Sequence, residues 1–113
     1  MSFDLTFAQR AKLIAMLSGL QVQGLGEART MNALMDAIEF GKAEAEEIKF
    51  AFDYETGQMT WDPKAVVGRI YSIVLALPQA AALVRALDRV PVTMADRKWL
   101  LDLAELLTAS VSR

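Results

Sequence analysis

The densest group of reactive side chains in this sequence is a run of six carboxylates: Glu44, Glu46, Glu47, Asp53, Glu55 and Asp62. Carboxylates can bind Ca²⁺ or Mg²⁺, and two of them together can act as general acid and base. An EF-hand calcium loop that began at Asp53 would need glycine at its sixth position, but glycine is the fifth residue here. We therefore expect a solvated acidic face that holds no metal ion and no cofactor.

The side chains that most often carry catalysis are missing, because the chain contains no histidine and no cysteine. Histidine is the residue best suited to proton transfer near neutral pH, and cysteine supplies thiolate nucleophiles. No serine lies in a nucleophile-elbow motif, and the glycines of QVQGLGEART lack the spacing of a phosphate-binding loop. The sequence therefore predicts that the protein is not an enzyme.

Large apolar side chains in the stretch FAFDYETGQMTWDP are the candidates for binding a partner: Phe52, Tyr54, Met59 and Trp61. Exposed aromatic residues anchor protein interfaces. The alternation of apolar residues on both sides of Gly57 is typical of a β-hairpin, and an isolated hairpin needs a surface to pack on. One hairpin face could thus close the core instead of contacting a partner, and the sequence leaves both interpretations open.

Basic residues between positions 85 and 98 keep a second function open: Arg85, Arg89, Arg97 and Lys98. They could cluster across the turn at Pro91 and contact phosphates. The net charge of −2 opposes this, and so do the glutamates in the short helix expected after Gly41. A DNA-binding transcriptional regulator is therefore the alternative function, and nucleic acid is the less favoured partner.

Helical patterns dominate the chain. Thr6 followed by Gln9 has the form of a capping box, and apolar spacing predicts further helices at 27–40 and 79–89. KAEAEEIKF predicts a short acidic helix, and a cap at 93–96 precedes a last helix that runs to about 109. Asp62 followed by Pro63 is a strong helix start. Residues 65–77 are predicted to continue that helix, although their β-branched side chains also permit a strand. The predicted fold is mainly α, a compact bundle of five or six short helices with a small β-hairpin near residues 50–61.

The length of 113 residues predicts a single helical domain, 1–113. Apolar residues make up 54% of the chain, whereas about 45–50% is usual, so we expect an exposed interface, most simply that of a homodimer. MSFDLTFAQR has no basic region typical of a secretory signal, and the apolar run at 65–77 is too short to span a bilayer. A cytoplasmic protein without membrane contact is expected.

Four segments carry a resemblance to a known group of proteins: LTFAQRAKLIAML, QGLGEARTMNALMDAIEF, EEIKFAFDYETGQMTW and ALVRALDRVPVTMADRKWLLDLAELL. Over about residues 5–107 the chain resembles small uncharacterised helical proteins of phages and prophages. The resemblance implies an accessory protein of a phage or mobile element and assigns no catalytic residue. We thus expect a non-enzymatic protein-binding module, such as an assembly adaptor or an inhibitor of a host protein.

Overall fold

The computed structural model describes residues 1–53 and 55–111. Within these ranges 58% of the chain is helical, in six helices, and two small antiparallel sheets accompany them. The prediction of a mainly α fold is confirmed. The elements in chain order are β1 (Ser2–Thr6), α1 (Phe7–Ser18), α2 (Gly24–Ile38), α3 (Lys42–Ile48), β2 (Ala51–Phe52), β3 (Met59–Thr60), α4 (Pro63–Val66), β4 (Ile70–Val74), α5 (Leu77–Leu87) and α6 (Arg97–Val111).

The start of α1 follows its sequence signal closely. The backbone N–H of Gln9 donates to Thr6 Oγ1 at 3.2 Å, and the backbone N–H of Thr6 donates to Gln9 Oε1 at 3.0 Å. This capping box satisfies two backbone donors at the point where β1 turns directly into α1. Asp62 likewise caps α4, because its Oδ1 accepts from the backbone N–H of Lys64 at 3.0 Å.

The prediction of a helix over residues 65–77 is wrong. Helix α4 ends at Val66, Gly68 adopts a φ of 70°, and strand β4 follows. Strand β1 pairs antiparallel with β4 in the register Ser2↔Val74 to Thr6↔Ile70. The β-branched residues of β4 suit a pleated surface once a partner strand is present, and that partner comes from the N-terminal segment, for which no strand was predicted.

The main core lies between the β1–β4 sheet and four helices, α1, α2, α5 and α6. The sheet presents Phe3, Leu5 and Ile73 to this core and turns the alternate residues outward. The fully buried large side chains that fill the interior are Leu13, Ile14, Leu34, Ile38, Ile48, Leu75, Leu83 and Leu107. Apart from the 65–77 segment that contains Leu75, the helices predicted around these residues exist, and their ends differ from the prediction by a few residues.

Among residues 1–53 and 55–111, every helix falls short of the length and apolar character that crossing a membrane requires.

Candidate functional site

The β2–β3 hairpin forms where the aromatic stretch predicted it. Ala51 pairs with Thr60 and Phe52 with Met59, and Gly57 closes the turn with a φ of 74°, a conformation that glycine adopts without strain. The Asp53 carboxylate accepts from the backbone N–H groups of Glu55 and Thr56 at 2.9 and 3.4 Å, which lowers the pKa of Asp53. Asp53 therefore stabilises the turn.

The hairpin divides the predicted interface residues between interior and surface. Phe52 is half-buried against the main core, and Met59 is half-buried between that core and a smaller aromatic cluster. Trp61 is 40% exposed. Tyr54 lies outside the described residues. The hairpin therefore packs on the core and leaves the Trp61 indole partly at the surface, and partner binding through this stretch stays a prediction.

An aromatic cluster fixes the position of Trp61. The ring of Phe7 lies 5.1 Å from that of Trp61 and 6.2 Å, edge on, from that of Phe50. Phe40 extends the cluster, with ring centroids 4.6 Å from Phe50 and 5.6 Å from Tyr71. Tilted and edge-to-face ring pairs at these distances are favourable. Trp61 therefore packs on Phe7 while part of its indole stays exposed to solvent.

An open groove of about 220 Å³ lies beside this indole, and we call it the Trp61 groove. Its lining consists of Phe7, Ala8, Ala11, Lys12, Ala15, Met59 and Trp61. The three alanines follow one face of α1, because residues three and four apart are neighbours on a helix. Lys12 brings the one charge of this lining, and its Nζ lies 2.8 Å from both carboxylate oxygens of Asp96. The groove is therefore apolar, and its cation is already paired.

Four of the six carboxylates in the predicted acidic cluster, Glu44, Glu47, Asp53 and Asp62, make separate contacts within the protein. Glu44 pairs with Arg10 at 2.9 Å and Glu47 with Arg69 at 2.5 Å, and each arginine lowers the pKa of its partner carboxyl. Asp53 and Asp62 bind backbone N–H groups, as described above. Within the part of the chain that the structure describes, no group of three or more carboxylates is arranged to bind a metal ion.

Sequence reasoning missed the most tightly bound charged residue, Arg10, which is only 4% exposed. Its Nε donates to the Ile38 carbonyl at 2.7 Å, one Nη donates to the Glu39 carbonyl at 2.9 Å, and the other donates to Glu44. These contacts satisfy carbonyls at the end of α2 that have no partner within that helix. The available signal was spacing, since Arg10 shares a helix face with the buried residues Phe7 and Ile14.

Two aromatic rings complete the surroundings of Arg10. Its guanidinium carbon lies 4.2 Å from the ring centroid of Phe40 and 4.9 Å from that of Tyr71, so cation–π attraction adds to the hydrogen bonds. The hydroxyl of Tyr71 is buried and makes no hydrogen bond of normal geometry among the described residues, and the Arg69 guanidinium is close enough to interact with it. This centre is structural, because every polar group of Arg10 is directed at the protein itself.

The basic residues of the alternative function are partly occupied by contacts within the chain. Arg85 and Arg89 line a hollow between α2 and α5 together with Glu27, and Arg89 pairs with Glu27 at 2.7 Å. The backbone N–H of Gln23 and the Arg89 guanidinium lower the pKa of Glu27. Arg97 donates to the Met94 carbonyl at the start of α6. The Arg89–Glu27 pair offsets one of the charges that phosphate binding would use, and the Met94 carbonyl occupies a donor of Arg97.

Comparison of the sequence and the structure with known proteins found no similar protein. The chain matches no known protein family, no curated protein and no solved structure.

Proposed function

We propose that this chain is a non-enzymatic protein-binding module whose partner inserts an apolar side chain into the Trp61 groove. The observation that carries the proposal is the partly exposed Trp61 indole above a supporting aromatic cluster. Aromatic residues of this kind supply much of the binding energy at protein interfaces. A binding surface that is already positioned loses little conformational entropy on association, which favours affinity.

The lining of the groove defines the chemistry of the partner. Its walls are alanine, methionine and aromatic side chains, and the Lys12 charge is matched by Asp96. An acidic partner side chain would gain little here, whereas an aliphatic or aromatic one would bury apolar surface on both sides. The volume of about 220 Å³ suits a single large side chain, given that a cavity of about 150 Å³ takes benzene.

The proposal includes a biological role, that of a phage accessory protein, and an oligomeric state, that of a homodimer. The resemblance of residues 5–107 to phage and prophage proteins supports a cytoplasmic accessory role, as an adaptor or an inhibitor of a host protein. Exposed apolar side chains on the outer surface of α5 and α6, such as Leu77 and Leu101, support a homodimer. Light scattering at micromolar concentration tests the second part, because a monomer mass would remove the homodimer from the proposal.

A selection from a library of displayed helical peptides tests the groove. Peptides that bind the wild-type chain through the groove should change the Trp61 fluorescence of a Trp99→Phe variant, in which Trp61 is the remaining tryptophan. Ala8→Glu would place a charge in the groove and should abolish this binding. Ala8 is exposed in the first turn of α1, where an acidic side chain is favourable for the helix, so the fold should persist.

Ala43→Glu is the matched control for this substitution. Ala43 is also exposed and is also the second residue of its helix, α3, so it receives the same charge in the same helical position outside the groove. Selective loss of binding in Ala8→Glu supports the proposal. Equal binding by both variants, or a library without enriched peptides, would contradict it.

A further inference from the structure

A second groove runs along the unpaired edge of β1, and we call it the β1–α6 groove. It has a volume of about 300 Å³ and separates the strand from the last helix. Its lining consists of Phe3, Asp4, Leu5, Gln9, Trp99, Asp102, Leu103 and Leu106. Three consecutive strand residues form one wall and one side of α6 forms the other, so the groove is bounded by backbone on one side and side chains on the other.

The hydrogen-bonding pattern of the sheet shows which backbone groups face away from β4. Met1 and Leu75 exchange two hydrogen bonds, each of 2.9 Å. In an antiparallel ladder such pairs alternate, so the register places the remaining interstrand bonds at Phe3 and Leu5. The N–H and C=O groups of Ser2 and Asp4 are therefore directed to the other edge of β1, and within residues 1–53 and 55–111 they have no partner outside the sheet.

An unpaired strand edge beside a helix is the surface that an extended peptide uses when it adds a strand to a sheet. We propose that the β1–α6 groove binds an extended peptide in which apolar and basic residues alternate. The main chain of this peptide would pair with Ser2 and Asp4 and extend the β1–β4 sheet by one strand. This site shares no residue with the Trp61 groove and does not depend on it.

The side chains around the groove specify this alternation. Residues directly opposite each other in a sheet project from the same face, so the peptide residue opposite Asp4 projects outward beside that carboxylate. Asp4 and Asp102 both line the groove. Both are exposed and have no ion pair among the described residues, so a basic peptide residue at this position would be attracted to them. The neighbouring peptide residues project toward Leu103 and Leu106 of α6, where apolar side chains fit.

A second copy of this chain is a poorer occupant of the same edge, because its β1 strand carries no basic residue that could pair with Asp4 or Asp102. Two β1 strands that paired antiparallel about a two-fold axis at Asp4 would place the two Asp4 carboxylates opposite each other. Like charges in directly opposed positions of a sheet are destabilising. A peptide with lysine or arginine at that position replaces this repulsion with attraction.

The synthetic peptide KVKIKVK, acetylated and amidated, is the probe for this site. In the proposed register the lysine N–H groups face β1, whereas those of the valine and isoleucine residues face solvent. N-methylation of the inner lysines should weaken binding by roughly tenfold or more, because two main-chain hydrogen bonds are lost. The same modification of the valine and isoleucine residues should leave affinity nearly unchanged, and it serves as the matched control.

Variants of α6 locate the site on the protein. Asp102→Lys should weaken binding of KVKIKVK by roughly three- to tenfold, since it replaces an attraction with a repulsion. Glu105→Lys makes the same change in net charge on an exposed residue of α6 outside the groove lining, and it should have much less effect. Hydrogen exchange should show protection of the Ser2 and Asp4 amides on binding, and Ala8→Glu should bind the peptide normally.

Three results would overturn this inference. The first is equal binding of the two N-methylated peptides, which would indicate contact without strand pairing. The second is absence of binding at millimolar peptide. The third is protection of the Ser2 and Asp4 amides that rises with protein concentration in the absence of peptide, which would make a second copy the occupant. Each of these results would leave the proposal for the Trp61 groove standing.

Discussion

Two basic residues of α1, Arg10 and Lys12, connect this helix to the rest of the molecule in contrasting ways. The Arg10 side chain is 5% exposed and makes hydrogen bonds to two carbonyls and a carboxylate. The Lys12 side chain is 50% exposed and contacts one carboxylate, that of Asp96. Both pairs have an N···O distance below 3 Å. Distance therefore does not rank their contributions, whereas the burial of the basic side chain and the number of its hydrogen bonds do.

The difference follows from what each removal would leave behind. Without Lys12, Asp96 keeps its hydrogen bonds from Trp99 and Thr93, and water can reach it. Without Arg10, the buried carbonyl of Ile38 and the part-buried carbonyl of Glu39 lose their donor. A buried acceptor that loses its partner retains the full cost of its desolvation, so we expect the two residues to respond very differently to the same substitution.

The largest expected effect is that of Arg10→Met, which keeps most of the side-chain volume and removes every donor. We predict a loss of about 2–4 kcal/mol in the free energy of unfolding, because the Ile38 and Glu39 carbonyls lose their donor at about 1–3 kcal/mol for each buried acceptor, whereas the partly exposed Glu44 carboxylate can bind water instead. Chemical denaturation measures it. Lys12→Met is the matched control and should lose far less, because exposed ion pairs contribute little. Similar losses from both substitutions would show that burial does not separate the two pairs.

Glu44→Gln should have an intermediate effect. The amide keeps an oxygen that can accept from Arg10 and from the backbone N–H of Gly41, as the carboxylate does now. The charge is lost, however, and hydrogen bonds to charged groups contribute about 1.5–3 kcal/mol, compared with about 1 kcal/mol for neutral ones. Because the Glu44 side chain is 43% exposed, we predict a loss of about 1 kcal/mol by denaturation. A loss as large as that of Arg10→Met would contradict this ranking.

The contribution of the Lys12–Asp96 pair should be measurable as a dependence of stability on pH. Hydrogen bonds from Lys12, Trp99 and Thr93 lower the pKa of Asp96 from 3.8 to about 2. Because the folded state favours the charged form, this stabilisation is present above pH 3.8 and is lost as the pH falls toward 2. We predict that Asp96→Asn has a shallower fall in melting temperature over this interval than wild type. Parallel curves for the two proteins would refute the role of Asp96.

The smallest effect, of opposite sign, is expected for Tyr71→Phe. The substitution removes a buried hydroxyl that makes no hydrogen bond of normal geometry among the described residues and keeps the ring near the Arg10 guanidinium. Removing an unsatisfied polar group is neutral or stabilising, so the free energy of unfolding should stay the same or rise by up to about 1 kcal/mol. A clear loss of stability would mean that the hydroxyl makes a bond of its own.

Sequence reasoning succeeded where the determinants lie within a few residues. The capping box at Thr6, the start at Asp62 and the hairpin turn at Gly57 each depend on neighbours along the chain. The β1–β4 pair could not be predicted in this way, because residues 70–74 become a strand only when residues 2–6 lie beside them. The apolar character of residues 65–77 is compatible with both structures, and a distant partner decides between them.

The candidate site shows the same division. The sequence identified Trp61 and Met59, but the alanine wall of the Trp61 groove belongs to α1 and is brought there by tertiary packing. Arg10 was missed because its acceptors come from the end of α2 and from α3, more than 25 positions along the chain. A charged residue on an apolar helix face, like Arg10 beside Phe7 and Ile14, is the pattern that signals such a buried partner.

The pairing of β1 with β4 also has a consequence for how the protein is made. Its two strands lie about 70 residues apart in the chain. At a synthesis rate of roughly 5–20 residues per second, the second strand emerges from the ribosome roughly 4 to 14 seconds after the first. During that interval Phe3 and Leu5 have neither their sheet nor their core, so the nascent chain is most exposed to chaperones and to misassembly before β4 emerges.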